Sequence, residues 1–599
     1  MKKTALALAM ASLFPSINAL ADDDQDNVIV TATRFESKLN ESLAPVEVIT
    51  HKQIEDLQAQ SLSEVLRRLP GIQVSNQGGS GQNISLFVRG RATKNVLVLI
   101  NGVRIGSATT GAANLAAIPL HGVSRIEVLR GPRAAVYGSD AVSGVVNIIT
   151  EQGKNGETNV TAGLGSYNHK RLSGSVALAS DEQWLNMAAT YQSEDGYNVV
   201  PDSTTDTDSD DDGYISKYFL TDFGKKLNDN WLLKVNGYYQ KQYTEYDGFG
   251  FADKSDSDLY NLAVITQYQY ERWQSHFSLS TNQDKLDSYG NNNSSLFQTN
   301  RYTAAWENQY QISEPLAFVG GIEWYRDDVK SSTEYVQEHR DNGSVYIGSY
   351  LNPGDFSLDS NFRFDHNSAY GSFGTYQFAA GYFITNDIRL IASYGTSFKA
   401  PTYNDLYYPL SFGYQGNPDL DPEKNKTAEI AIEGQFDLAT VRLSTYRNDV
   451  EDMIATLSDF STVENVDEAV IKGVELSSSF DTGPLSHQVS YDYLDTENKS
   501  TGEELARRAR HSAKWNTAYN IKQWHFDVSY LYQGTRQDSE YNDVVLSPYS
   551  LVDFAMSYSF NNGVKLGGKV GNVFDEDYET ASGYATPERN YYGSISYTF

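Results

Sequence analysis

The sequence contains no cysteine. Disulfides, thiolate nucleophiles and Cys-ligated zinc or iron–sulfur centres are therefore excluded. Positive charge is scarce: 47 Lys+Arg stand against 77 Asp+Glu, a formal net charge of −30. A general nucleic-acid binder needs basic patches to neutralise phosphates, so that class is excluded and no nucleic-acid partner is expected. Histidine is rare, with 9 in 599 residues. Beyond the N-terminus no run reaches the ~18 apolar residues of a membrane-spanning helix. The HExxH, GxSxG and phosphate-cradling GxxxxGK(S/T) patterns are missing, and no catalytic residue is assigned. The chain reads as a non-enzyme whose energy source lies elsewhere.

Tyrosine is abundant instead: 42 Tyr against 26 Phe and 7 Trp. Such a bias fits many positions with one greasy and one wet end. Residues 1–21 read as a secretory signal peptide, with Lys2 and Lys3, an apolar run from Thr4 to Phe14, and Ala19-Leu20-Ala21 before Asp22. The run is too short for a membrane anchor.

From about Val160 onward the pattern has period two. Trp231, Leu233, Val235, Gly237 and Tyr239 alternate with Lys234, Asn236 and Tyr238. Trp524, Phe526, Val528, Tyr530 and Tyr532 alternate with polar partners, as do Leu390, Ala392 and Tyr394, and the terminal Tyr591, Gly593, Ile595, Tyr597 and Phe599. A half-buried soluble sheet alternates too. The number of segments, the aromatics at their ends and the absence of helical periodicity favour a transmembrane β-barrel. At roughly 20 residues per strand with its turn and loop, the chain beyond residue 155 holds about 22 strands, and a lumen that wide needs a plug.

Residues 36–152 read as an α+β globule of suitable size. Thr50 caps a short helix carrying Ile54 and Leu57, and Ser61 or Ser63 caps another carrying Leu62, Val65, Leu66 and Leu69. Val96–Ile100 and Val145–Ile149 are buried-strand candidates, and Asn101-Gly102 is a tight-turn signal. The fold expected is an all-β membrane protein, a 22-stranded antiparallel barrel with an N-terminal plug in its lumen. The domain limits are 1–21 signal peptide, 22–35 tail, 36–152 plug and 153–599 barrel.

Several motifs carry a family resemblance. They include Phe87-Val88-Arg89-Gly90, Ile126-Glu127-Val128-Leu129-Arg130-Gly131-Pro132 and Val136-Tyr137-Gly138-Ser139-Asp140-Ala141 in the globule. Tyr394-Gly395-Thr396-Ser397-Phe398-Lys399-Ala400-Pro401 and Asn572-Val573-Phe574-Asp575-Glu576-Asp577-Tyr578 belong to the period-two region. Together they resemble the TonB-dependent outer-membrane transporters, over essentially the whole mature chain. Within that family the sequence is similar to the cobalamin (vitamin B12) receptors, near-continuously from Val65 to Ile149. The resemblance implies the Gram-negative outer membrane, cobalamin as cargo, the periplasmic coupler TonB as partner with ExbB/ExbD behind it and a lipid surround; a closed barrel, having no free edge, is expected to be a monomer. The alternative is uptake of a ferric siderophore or haem by the same architecture. Acidic loops and scarce His, with none between Pro401 and Asn417, favour a neutral ligand.

Asp26, Asn27, Val28, Ile29, Val30, Thr31 and Ala32 resemble a TonB box. In a polar tail this β-prone run reads as an exposed strand available for pairing by strand addition, a plug strand or an arbitrary linker, and the resemblance favours the first. Asp202, Asp206, Asp208, Asp210, Asp211 and Asp212 crowd one loop, which is either a solvated loop or a hard-cation site. A true EF-hand fails because Phe219 holds its twelfth position. The resemblance implies Ca²⁺ that orders the outer loops, with Asp208, Asp210, Asp212, Tyr246 and Asp247 as ligands. It adds Asp253 or Asp256, and Asn198, a neutral amide where the family has Asp. It also implies cobalamin contacts at Asn83, Ser85, Ala92, Thr109, Thr110, Ser295, Arg507 and Tyr541. Arg89, Arg130 and Arg133 with Asp140 and Glu127 read as plug–barrel contacts, hydrated and cheap to break.

Overall fold

The computed structural model describes residues 29–30, 34–35, 37–150, 156–201, 209–248, 252–290, 293–457, 459–539 and 543–599. The signal peptide, most of the tail and the plug–barrel junction lie outside them.

The period-two segments form one closed, 22-stranded antiparallel barrel in which each strand pairs with its sequence neighbour. Thr158–Gly165 closes it against Asn590–Thr598. Lipid offers no hydrogen-bond partner to a bare edge, so closure is obligatory. The alternation read from sequence is the inside–outside alternation of the wall. Leu390 and Tyr394 face out while Arg389 and Ile391 are buried toward the lumen. At the short-turn end Trp231, Tyr268 and Trp273 form an aromatic girdle, with ring centroids 4.9 and 5.2 Å apart.

The plug fills the lumen. Its sheet runs Val46–Thr50, Arg125–Arg130, Gly144–Ile149, Val96–Ile100, Val103–Arg104, and one pairing, Val96–Ile100 with Gly144–Ile149, is parallel. These two strands are buried on both faces, as their unbroken apolar runs require. One face packs on Leu62, Val65 and Leu66; the other packs on Val136, Tyr137 and Val30. Helix His51–Asp56 starts at Thr50 with a reciprocal capping box through Gln53. Helix Leu62–Leu66 is capped by Ser61. Asn101 and Gly102 take φ of 50° and 79°, the two-residue turn joining Ile100 to Val103.

Charged pairs pin the plug to the wall. Arg89 places Nη1 2.8 Å from Glu429 and Nη2 2.8 Å from Glu475, both on inward faces of barrel strands. The Tyr446 ring lies 4.4 Å beneath the guanidinium. Arg130 joins Glu475 at 3.3 Å and Glu47 at 2.8 Å. Asp140 bridges plug Arg104 and barrel Lys399, each at 2.6 Å. The expectation of hydrated, cheaply broken pairs fails here: the side chains of Arg89, Glu429 and Glu475 are only 4–6% exposed. The plug core fills the lumen and excludes water around them. Glu127 pairs with Arg125 inside the plug. Such pairs are costly to break because a lone buried charge remains.

Arg89→Ala leaves Glu429 and Glu475 without the cation they share, each keeping one longer ion pair, to Arg442 and to Arg130. We expect plug stability to fall by about 3–5 kcal/mol, read as an earlier denaturant transition and raised passive conductance in planar bilayers. Wild-type values in both measurements would refute the role assigned to this residue.

Candidate functional site

The outer mouth of the barrel is floored by two plug loops. The first tops the hairpin Ile72–Asn76 with Ile84–Val88. It is tied to the wall on several sides: Ser80 Oγ donates to Glu194 at 3.1 Å, Gln82 Nε2 to the Glu245 carbonyl at 2.6 Å, and Ser75 Oγ to the Thr580 carbonyl at 2.7 Å. Gly78 sits at φ 120° where a Cβ would lie 2.6 Å from Val199, so the close approach of loop to wall requires glycine. Asn83 is exposed and donates to Gln77 Oε1 at 2.8 Å. Ser85 is half-buried opposite Ser75. Ala92, half-buried, carries no polar group to offer.

Arg507 joins this flank. Its Nε donates to Asp538 at 2.9 Å, and its neighbour Arg508 donates to the Gly90 carbonyl at 2.7 Å over the Phe87 ring. Asn83, Ser85, Ala92 and Arg507 thus belong to one plug–loop assembly. Thr110 is exposed on the opposite flank, and Ser295 sits near the outer end of strand Asn293–Ser313 on that side. Thr109 differs from expectation: it is 1% exposed. The short helix Tyr403–Tyr407 folds over it, with the Asn404 N–H donating to the Thr109 carbonyl at 3.3 Å and the Tyr403 N–H to that of Ala108 at 3.0 Å. Its hydroxyl is spent on Ser107, 2.6 Å away, and does not face the mouth. Tyr541 lies outside the described residues.

The acidic loops lie at the same mouth. Asp212 is buried and accepts the Val199 N–H at 3.0 Å. Burial, and then the carboxylates of Asp247, Asp210 and Glu245, push its carboxyl up to about 7 against that hydrogen bond. Asp253 has a buried Oδ1 without a hydrogen-bond partner among the described residues. The Tyr246 N–H donates to the Asp253 carbonyl at 2.8 Å, which folds Asp247 and Asp253 onto one turn. Asn198 Oδ1 accepts the Val200 N–H at 2.9 Å, and Asp256 accepts the Tyr289 hydroxyl at 3.2 Å. Among the described residues no three carboxylate or imidazole side chains converge as a finished metal site. Asp208 lies outside them.

The inner end carries the tail. Ile29–Val30 pairs antiparallel with Ser37–Lys38, and Val30 is fully buried. The exposed strand read from sequence is therefore tucked away, because Leu97, Leu99, Val136 and Tyr137 offer it an apolar seat. Asp26, Asn27, Val28, Thr31 and Ala32 lie outside the described residues. Arg34, which the sequence reading passed over, is the clamp. It pairs with barrel Glu307 and with Glu323 at 3.1 Å, donates to the plug carbonyl of Val136 at 3.0 Å, and lies between the Tyr137 and Tyr346 rings at 5.1 Å from each. Its signal was legible: Arg34 is the sole cation between residue 22 and Lys38.

Between the apex hairpin and the wall lies a cavity of ≈150 Å³ beside Gly79, Arg67, Gln192 and Tyr578. That is below the ~300–1,000 Å³ of a drug-sized ligand site. A membrane barrel corked by its own N-terminal globule, with a tail clamped at the inner end, defines a plugged outer-membrane receptor.

Sequence comparison gives the family. Residues 38–145 match the "TonB-dependent Receptor Plug Domain" and residues 150–573 match "TonB dependent receptor-like, beta-barrel". The chain belongs to the TonB-dependent receptors, a family of receptors and transporters, and resides in the Gram-negative outer membrane. It is 41% identical to the vitamin B12 transporter BtuB of Photobacterium profundum and 36% identical to that of Vibrio cholerae serotype O1, covering 100% of each chain. The fold matches the siderophore receptor PirA of Acinetobacter baumannii with a TM-score of 0.80 at 21% identity, covering 92% of this chain and 98% of that one. It matches the ferric enterobactin receptor PfeA of Pseudomonas aeruginosa with a TM-score of 0.82 at 18% identity, covering 92% and 99%.

The raised Asp212 carboxyl sets a pH dependence. Its folded value exceeds its unfolded one, so the folded strand end at Asp212 binds the extra proton and its stability falls as pH rises from about 4 to about 7. In metal-free protein, amide-exchange protection at Val199 and the Asp212 strand end should decline across that window and level off above it. In Asp212→Asn the profile should be flat; a wild-type profile in the variant would contradict the assignment.

Proposed function

We propose that the protein binds cobalamin at its outer mouth and moves it into the periplasm when TonB draws on its N-terminal tail. The observation that carries this reading is the end-to-end similarity to two proteins named vitamin B12 transporter. The chemistry of the mouth agrees. Cobalamin is a large disc fringed with amides, and it suits hydroxyls, amides and aromatic faces more than strong positive charge. Asn83, Ser85, Thr110, Ser295 and Arg507 supply such groups, and Ala92 contributes shape alone. The loops around them are acidic, which disfavours anionic siderophores. Solved neighbours that are siderophore receptors share 18–21% identity and speak for the fold alone.

Calcium fits the outer loops. Asp210, Asp212, Asp247 and Asp253 offer hard oxygen donors, and the buried Asp253 oxygen together with the mutual repulsion at Asp212 makes a divalent cation welcome there. Bound Ca²⁺ would supply positive charge that holds these loops together. Asp208, Tyr246 and the neutral Asn198 complete the proposed set; Asp256, engaged by Tyr289, is its weakest member.

At the inner face, Val30 and Ile29 are the β-prone residues a coupler would extract, and Arg34 is the tie it must break. With ExbB/ExbD converting the inner-membrane proton gradient into a pull, the plug rearranges and the route beside the apex hairpin widens. A closed barrel leaves no free edge, which suits a monomer in lipid.

Purified protein should bind cyanocobalamin with calcium and lose tight binding after chelation. Failure to bind in calcium would discard the cargo. Deleting residues 26–32 should abolish cellular accumulation and leave binding intact; accumulation that survived the deletion would end the coupling claim.

A further inference from the structure

The lipid-facing wall carries a feature that cargo binding does not use. At one height, four adjacent strands place Lys217, Lys241, Asp258 and Lys285 directly opposite one another in register. All four side chains lie on the outer face, since Ser216, Gln240, Ser257 and Asn282 on the alternate face are buried toward the lumen. Lys217 and Lys241 are exposed. Among the described residues neither has an ion-pair partner; Lys217 lies only over the Tyr191 ring, at 5.9 Å. The single acid in the row is already engaged, by Lys285 at 3.7 Å and by the Tyr239 hydroxyl at 3.5 Å.

Two physical arguments make this row a site. Like charges directly opposite one another destabilise a sheet, and here Lys217 faces Lys241 in a chain of net charge −30 with carboxylates to spare. The height is also specific. Directly beneath the row lie Phe219, Tyr239 and Tyr260, again in register, and below them the apolar Leu262, Val264, Phe277 and Leu279. At a strand rise of ~3.4 Å and a tilt of ~40°, Lys241 stands roughly 25 Å above the girdle residue Trp231. That equals the height of the apolar band, so the ammonium groups emerge at the outer headgroup level. A second group of outward cations, Lys424, Lys426 and Arg447, is matched one to one by Asp452, Glu451 and Asp449. It needs no outside anion.

We infer that the Lys217–Lys241 pair, with the Asp258-bound Lys285 beside it in the same row, is a docking site for the phosphate groups of an outer-leaflet glycolipid. The aromatic row beneath it abuts the upper part of the acyl chains. The anion relieves the registered lysine repulsion, which ties one side of the barrel to its lipid.

The test uses the full chain purified in detergent and titrated with bisphosphorylated lipid A, dephosphorylated lipid A or phosphatidylethanolamine, with retained lipid counted by native mass spectrometry. Wild type should retain the bisphosphorylated lipid preferentially. Lys217→Gln/Lys241→Gln/Lys285→Gln should retain it at least tenfold less, single Lys241→Gln should show a graded loss, and Lys424→Gln/Lys426→Gln should behave as wild type. Equal retention by wild type and the triple variant, or of the two lipid A forms, would overturn the proposal. So would displacement of the lipid by millimolar inorganic phosphate, which would mark a free-anion site.

Discussion

Hydrocarbon cannot hydrogen-bond a peptide group, and every other feature of the molecule follows from meeting that demand with strands. Strands in lipid must close on themselves, and this chain closes Thr158–Gly165 against Asn590–Thr598. A ring of 22 strands has a lumen too wide for its own side chains to fill. The N-terminal globule is the filling, held to the wall by charged pairs.

The globule is held by two kinds of contact. Arg89 and Arg130 are dry, multiply bonded and backed by Tyr446, so they fix the plug's place over long times. The outer-mouth contacts are single hydrogen bonds, those of Gln82 and Ser75 to backbone carbonyls and that of Ser80 to the Glu194 carboxylate, each worth far less. A pull from the inner side therefore meets uneven resistance. The tip of the apex hairpin is the weakly held part; the Arg89 quarter, and Arg67 with Glu64 beside the cavity, are ion-paired to the wall.

Much of this was legible in the linear sequence because it is local. Period two in Trp524 to Tyr532 marks a wall strand whatever its neighbours do. The Thr50–Gln53 box, the Asn101-Gly102 turn and the apolar run Val96–Ile100 also carry their instructions within a few residues. What was not legible depends on distant partners. Val30 is buried because Leu97 and Tyr137 are there to receive it. Thr109 is covered because a barrel loop some three hundred residues later folds across it. The dryness of Arg89 depends on which strands present Glu429 and Glu475. The lysine row becomes visible only once register aligns positions from three separate strands. The outer-mouth residues fall between these cases: their types could be read, but their division into two flanks could not.

The short hairpin of Ile29–Val30 with Ser37–Lys38 has a consequence for the cell as a whole. Any partner that reads this strand along its edge must displace a competitor tethered to the same chain, present at a local concentration no diffusing protein can match. A copy whose tail stays paired with its own chain is thereby withheld from any such partner, and what that partner meets is the fraction of copies that have let go of their tails.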